Sequence, residues 1–384
     1  MSLRSRATST ALSFLALATL ALPRPASAQP ARSGAIVLVV SSAGRDSGRT
    51  RPGFEMDELT QAYHIFTGNG FAVTIASPAG GAVQADRYDA DAAYNAAFLA
   101  DTTAMRKLTN TTRTAALRAR DFDAIFVVGG KGAMFDLPLD TALARLAGDM
   151  FDQGGVVSAV CHGPAGLVRA RTRAGKALLA GRTVTGFSNE EEQVFGKKWA
   201  SEFPFMLETE IRSLGATWQE AALMLPHVAI DGRIITGQNP YATAATVEAV
   251  VRTLGRTLAA RTPWADERTV NFASAALRRD PHTPRRELDT IHAELKIEMI
   301  GLIGYYQLQT ASDTAAVRSA LTLMELAAPY MPQPQITLGM ADAYARLGRT
   351  DDARVLAKEV ARLHPAMREA RELLTTLERT SPPR

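Results

Sequence analysis

The stretch Val156-Val-Ser-Ala-Val-Cys161-His-Gly-Pro-Ala-Gly-Leu167 decides the reading of this chain. Five residues without a formal charge form a run suited to a strand buried on both faces, and it stops at a cysteine followed by small residues. A strand that turns sharply into a helix needs small neighbours and holds the side chain at the turn out of the sheet, often with a strained backbone. Amide N–H groups at the start of the following helix favour a thiolate, so the pattern predicts a lowered pKa for Cys161. The competing reading is a buried, inert core cysteine, which strands commonly carry. Cys161 is the one cysteine of the chain, so no intrachain disulfide can form.

Working outward, residues 34–44 read as a first buried strand ending in a glycine loop, and 58–67 as a helix stopped by Gly68-Asn69-Gly70. Phe71–Ile75 returns as a strand. Residues 84–121 read as mixed loop and helix, and Asp123–Val128 is an apolar run leading into Gly129-Gly130-Lys131-Gly132. A helix is expected over 142–153 and another over 163–179. Later strands fall at 183–186 and 228–236, before a closing helix at about 242–260. Short strands separated by helices predict a mostly parallel sheet covered on both faces. Ligands of such sheets sit beyond the carboxyl ends of the strands, where Gly129–Gly132 and Cys161 fall.

After Thr262-Pro263-Trp264 the character changes. A linker is expected over 263–288 and helices over 289–310, 315–328, 336–347 and 351–363. The last pair, with Gly348 at its turn and Pro365 at its end, resembles a tetratricopeptide repeat. A helical appendage packed on its own α/β domain and a partner-binding module both fit this region.

At the other end, Arg4 and Arg6 precede the apolar run Ala11–Leu22 and the small-residue string Ala26-Ser27-Ala28. That order is the signature of a secretory signal peptide over 1–28. It predicts an exported protein, periplasmic in a Gram-negative bacterium. The leader holds three arginines and no acid, so the mature chain carries 40 basic and 39 acidic side chains. The basic excess that would point to nucleic-acid binding leaves with the leader, and no membrane-lying helix rich in lysine follows it. At 46% hydrophobic and 21% charged, the composition excludes disorder throughout and a polytopic membrane protein.

The elbow AVCHGPAGL (159–167) resembles the nucleophile turn of the DJ-1/PfpI superfamily, in its glutathione-independent glyoxalase and Hsp31-like branch. Supporting blocks follow in order: GFEMDEL (53–59), ASPAGG (76–81), VVGGKGAMFDL (127–137), VTGFSNEEE (184–192) and IITGQNPYA (234–242). The resemblance covers 34–262 and implies a flavodoxin-like α/β domain followed by an all-α helical-hairpin domain over 289–384. It implies Cys161 as nucleophile, Glu58 as the acid approaching the sulfur, and His162 beside it. The third polar residue is expected at Glu190, with Glu191 as competitor, and Glu55 and Asp57 lie too early in their block. The amides of Gly130 and His162 match the oxyanion position. Lys131 and Gln61 stand where relatives carry other residues, which places both at the pocket rim.

The expected activity is conversion of small 2-oxoaldehydes to 2-hydroxy acids without glutathione, metal or organic cofactor. The alternatives are an amide or glycated-adduct hydrolase using the same sulfur, and a holding chaperone or partner-binding protein. Relatives commonly dimerise, so a homodimer is possible. Gly129–Gly132 lacks the spacing of a phosphate loop. His282 and His292, ten positions apart with no cysteine near, match no compact metal-ligand pattern.

Overall fold

The computed structural model describes residues 34–280 and 282–379. The expected leader lies outside them. The first half builds β1 (Ala35–Val39), α1 (Met56–Gly68), β2 (Ala72–Ser77), α2 (Ala93–Ala100), α3 (Thr102–Thr109), β3 (Thr112–Arg113), β4 (Ala124–Val127), α4 (Ala133–Asp136), α5 (Thr141–Asp152) and β5 (Val156–Val160). It continues with β6 (Thr183–Val184), α6 (Asn189–Phe195), α7 (Lys197–Ala200), α8 (Leu207–Ser213), β7 (Thr217–Trp218), β8 (Val228–Asp231), β9 (Ile234–Gly237) and α9 (Thr243–Thr253).

Seven strands form one sheet in the order β3-β2-β1-β4-β5-β9-β8, parallel except where β8 runs against β9. β1, β4 and β5 are almost wholly buried, which explains why their sequences read as unbroken apolar runs. β6 pairs with β7 in a separate two-stranded sheet. Strand order reverses between β1 and β4, and the register Val127 opposite Ala159 brings the β4 and β5 exits side by side. Gly129 and Cys161 are therefore neighbours beyond the carboxyl ends of two central strands.

Two expectations change here. The helix expected over 163–179 is only a five-residue 3-10 segment, Gly163–Leu167. It packs too closely for larger side chains: a Cβ on Gly163 would lie 2.2 Å from the Val127 carbonyl oxygen, and one on Gly166 2.8 Å from Leu143. The chain then breaks into turns. The expected linker 263–288 instead holds α10 (Ala265–Ala276) and the start of α11 (His282–Ile291). Val270 and Ala273 of α10 are fully buried in the second core, so this segment is part of the helical half.

That half continues with α12 (Ile297–Thr310), α13 (Thr314–Ala327), α14 (Pro334–Arg346), α15 (Thr350–Leu363) and α16 (Arg368–Arg379). α12 and α13 approach closely through small residues, since a Cβ on Gly304 would sit 2.6 Å from the Ala320 carbonyl oxygen. The two halves form one compact unit. Leu225 of the α/β half is buried in the helical core, Phe195 meets Tyr306 edge-on at 4.9 Å, and Gln307 Nε2 donates to the Leu223 carbonyl at 2.9 Å.

Candidate active site

Cys161 leaves β5 with φ at +57°, the left-handed region that an L-residue other than glycine enters at a cost of about 1–3 kcal/mol. The surroundings hold it there. Its N–H donates to the Gly237 carbonyl at 2.9 Å, and its own carbonyl accepts from the Phe187 N–H at 2.8 Å. Small neighbours are obligatory: a Cβ on Gly129 would sit 2.8 Å from the Cys161 Cβ. The sharp turn expected from the sequence is present, and the sulfur-bearing residue is 3% exposed.

Glu58, in the first turn of α1, is fully buried beneath that turn. The Gly129 N–H donates to its Oε2 at 2.6 Å, and the carboxyl and the Cys161 thiol each act on the other's protonation. Burial pushes the Glu58 carboxyl well above the usual range, and the nearby Glu55 charge adds to the effect. The thiol is pushed up as well, first by burial and then by the negative charge of Glu58, while the Gly130 amide works the other way. The lowered thiol pKa expected from the sequence is thus reversed. The 3-10 segment is too short to outweigh burial beside an acid. Both directions favour the protonated forms, and carboxyl and thiol titrate as one coupled pair.

His162 turns toward the sulfur, with Nδ1 at 3.3 Å from Cys161 Sγ. Its Nε2 lies 2.8 Å from Glu192 Oε2, and both side chains are buried. The third polar residue is therefore Glu192, which corrects the expectation of Glu190 or Glu191. Glu191 is engaged elsewhere. Ser188 caps α6, its Oγ accepting from the Glu191 N–H, while Glu191 Oε2 accepts from the Ser188 N–H. Glu191 Oε1 takes three more donors, from Met224, Gln238 and Asn239. Glu190 is half-buried on another side of the helix. The Ser-x-x-Glu pattern at 188–191 is a capping box and was the available signal. It removes Glu191 from contention and leaves the next acid to face His162.

The imidazole lies against Phe187, with ring centroids 4.5 Å apart, and meets Phe203 at 5.9 Å. Phe203 contacts Phe135, over which the Arg51 guanidinium sits at 4.7 Å. Gln61 is buried, at 6% exposure, and not on an open rim. Lys131 is half-buried, and its charge reaches Glu55 and Asp86. Glu55, set aside in the sequence reading, belongs to the neighbourhood. Burial, with Asp57 and Asp86 adding, pushes its carboxyl up to about 8, and its charge is felt at both Glu58 and Cys161. Among the described residues no group of three or more histidine, cysteine, aspartate or glutamate side chains could hold a metal ion.

The DJ-1/PfpI family model matches residues 50–253, more than half of the chain. The chain belongs to the DJ-1/PfpI family. It is 34% identical over 158 residues to the glutathione-independent glyoxalase hsp3102 of Schizosaccharomyces pombe, covering 38% of this chain and 64% of that protein. It is also 34% identical over 148 residues to Glyoxalase 3 of Candida albicans, covering 38% and 63%. The match thus spans less than two thirds of the length of these curated relatives. Among solved structures, glyoxalase III from Candida albicans superposes with a TM-score of 0.53 at 25% identity, covering 58% of this chain and 98% of that one. The Rapid Encystment Protein of Francisella tularensis gives 0.53 at 29% identity, covering 57% and 98%. Each solved chain is thus matched almost whole by little more than half of this one.

Proposed function

We propose that this DJ-1/PfpI protein is a glutathione-independent glyoxalase that converts methylglyoxal and similar small 2-oxoaldehydes to 2-hydroxy acids, with D-lactate as the product from methylglyoxal. One observation carries the reading: a fully buried carboxyl, Glu58, is held by the Gly129 N–H beside the turn that presents the one thiol of the chain. Names borne by relatives at about one-third identity support it.

In the active form the pair carries one proton, on Glu58, and the sulfur is a thiolate. The sulfur attacks the aldehyde carbon, and the oxygen that gains the electron pair is held by the Gly130 and His162 amides. Glu58 then gives that oxygen its proton, which completes a hemithioacetal. As a carboxylate it next removes the hydrogen from the same carbon, and the electron pair moves onto the ketone oxygen to form an enediolate. A proton shifts between the two oxygens, and Glu58 returns its proton to the second carbon. The result is a thioester on Cys161. One water hydrolyses it: the 2-hydroxy acid leaves, the thiolate is restored, and the remaining proton returns to Glu58. His162, oriented by Glu192, is placed to take a proton from that water.

Purified protein incubated with methylglyoxal without glutathione should accumulate lactate, and C161A and E58Q should each abolish it. Undiminished lactate from C161A would refute the scheme. We further propose that the protein acts after export with residues 1–28 removed, which the amino-terminal sequence of the periplasmic fraction tests.

A further inference from the structure

The seam between the two halves carries buried polar groups that the reaction scheme does not use. Tyr94, on α2, is 4% exposed, and its hydroxyl lies 2.6 Å from Asp266 Oδ2 and 3.1 Å from Asp57 Oδ2. Asp266 stands in the first turn of α10 and is 5% exposed. Asp57 immediately precedes Glu58. The other carboxyl oxygens are already satisfied: Asn95 Nδ2 donates to Asp57 Oδ1 at 2.6 Å, and the Glu267 N–H donates to Asp266 Oδ1 at 2.9 Å.

A phenol has one hydrogen to give. The shorter contact, to Asp266, takes it. The phenol oxygen and the half-buried Asp57 Oδ2 would then face each other with lone pairs alone, an unfavourable arrangement beside the buried Tyr94, unless Asp57 carries a hydrogen. The count orders the protons from Asp57 to Tyr94 to Asp266. The groups around Asp57 agree with this order. Burial pushes its carboxyl up and Asp266 adds to that, while Asn95, Tyr94 and Lys296 pull the other way. Glu58 lies on the same helix and Glu55 just before it, and Tyr241, beyond β9, feels both Asp57 and Asp266. The Tyr94 hydroxyl is pushed far up by burial and the two carboxylates, so it keeps its hydrogen.

We propose that Asp266 is a positioning residue for proton transfer at Glu58: by accepting the Tyr94 hydrogen it keeps Asp57 neutral, and so keeps a negative charge off the residue adjoining Glu58. The appended helical half thereby sets part of the active site's proton inventory. The proposal rests on the assigned role of Glu58 where turnover is read, but alkylation of Cys161 reads it without any assumption about substrate.

The test uses the full chain. In D266A the Tyr94 hydroxyl turns to Asp57, which then ionises, and an ionised Asp57 raises Glu58 further. The pH midpoint for alkylation of Cys161 by iodoacetamide should rise by roughly half a unit, or about threefold in rate on the rising limb. The acid limb of kcat/KM for methylglyoxal should move with it. In the double variant D57N/D266A, position 57 cannot ionise, and the midpoint should return to the wild-type value. An unmoved midpoint in D266A, or a double variant as displaced as the single one, would overturn the proposal. If D266A does not fold, the infrared difference between wild type and D57N at neutral pH decides. Loss of a protonated-carboxyl stretch supports the proton order, and loss of carboxylate bands alone overturns it. Absence of methylglyoxal turnover in wild type would count against the proposed reaction and leave the alkylation result standing.

Discussion

In the α/β half one set of buried polar side chains gathers at the end of β5, where Glu58 and His162 flank the sulfur and Glu192 backs His162. In the helical half, among the described residues, the buried polar side chains are Asp266, Thr269 and Gln307. Two of these three reach across the seam, to Tyr94 and to the Leu223 carbonyl. Burying polar groups is tolerated when each finds a partner. The first half uses that tolerance for chemistry and the second mainly for docking. The lesson is that the helices are fastened to the α/β half by specific hydrogen bonds as well as by apolar contact, and that one of those bonds lies a single residue from the catalytic helix turn.

The sharpest way to break this contrast is at the acids of α6. E192A removes the partner of a buried imidazole, and turnover of 2-oxoaldehydes should fall by about a hundredfold, the usual scale for a general base that loses its orientation. E190A should stay within about twofold, because the half-buried Glu190 makes no contact with His162. Equal losses in the two variants would remove Glu192 from the site.

Glycine substitutions sharpen the comparison at smaller cost. G163A drives a Cβ against the Val127 carbonyl, and G304A drives one against the Ala320 carbonyl. Both should destabilise the chain by about 1–3 kcal/mol in denaturant titrations, the usual scale for overpacking. Only G163A lies in the elbow, so only it should change the alkylation rate of Cys161 in the folded protein. A matching change in G304A would mean that packing between α12 and α13 reaches the sulfur.

What the sequence disclosed follows the same division. The elbow, Glu58 and the glycine-rich exit of β4 were legible because each depends on a short segment: a buried strand, small residues where the backbone must crowd, an acid in the first turn of a helix. Glu192 was not legible because one residue around a helix is about 100° of rotation, and alignment to a run of six polar residues, Ser188–Gln193, cannot fix that angle. The capping box could have fixed it. α10 was mistaken for linker because it is short and its charged residues obscure the buried face of Val270 and Ala273. The link from Asp266 to Tyr94 spans 172 positions and has no local signature at all.

The last test lies at Glu55, and its sign is definite. In the folded chain its carboxyl is pushed up to about 8 by burial, Asp57 and Asp86, against a usual value of 4.5. Between those two values the folded state holds a proton that the unfolded chain has released. Stability from this group is therefore fully present below about pH 4.5 and declines toward pH 8, with a slope of about 1.4 kcal/mol per pH unit for one proton. E55Q carries no titrating group at this position. Its unfolding free energy, followed by urea titration from pH 5 to pH 8, should decline less steeply than that of wild type. Glu191, pushed up to about 7 by burial, contributes a similar decline that E55Q leaves in place. Parallel curves for wild type and E55Q would show that Glu55 is ionised in the folded state throughout. Its charge would then press on the Cys161–Glu58 pair at every pH, and the acid limb of alkylation in E55Q would have to shift downward to match.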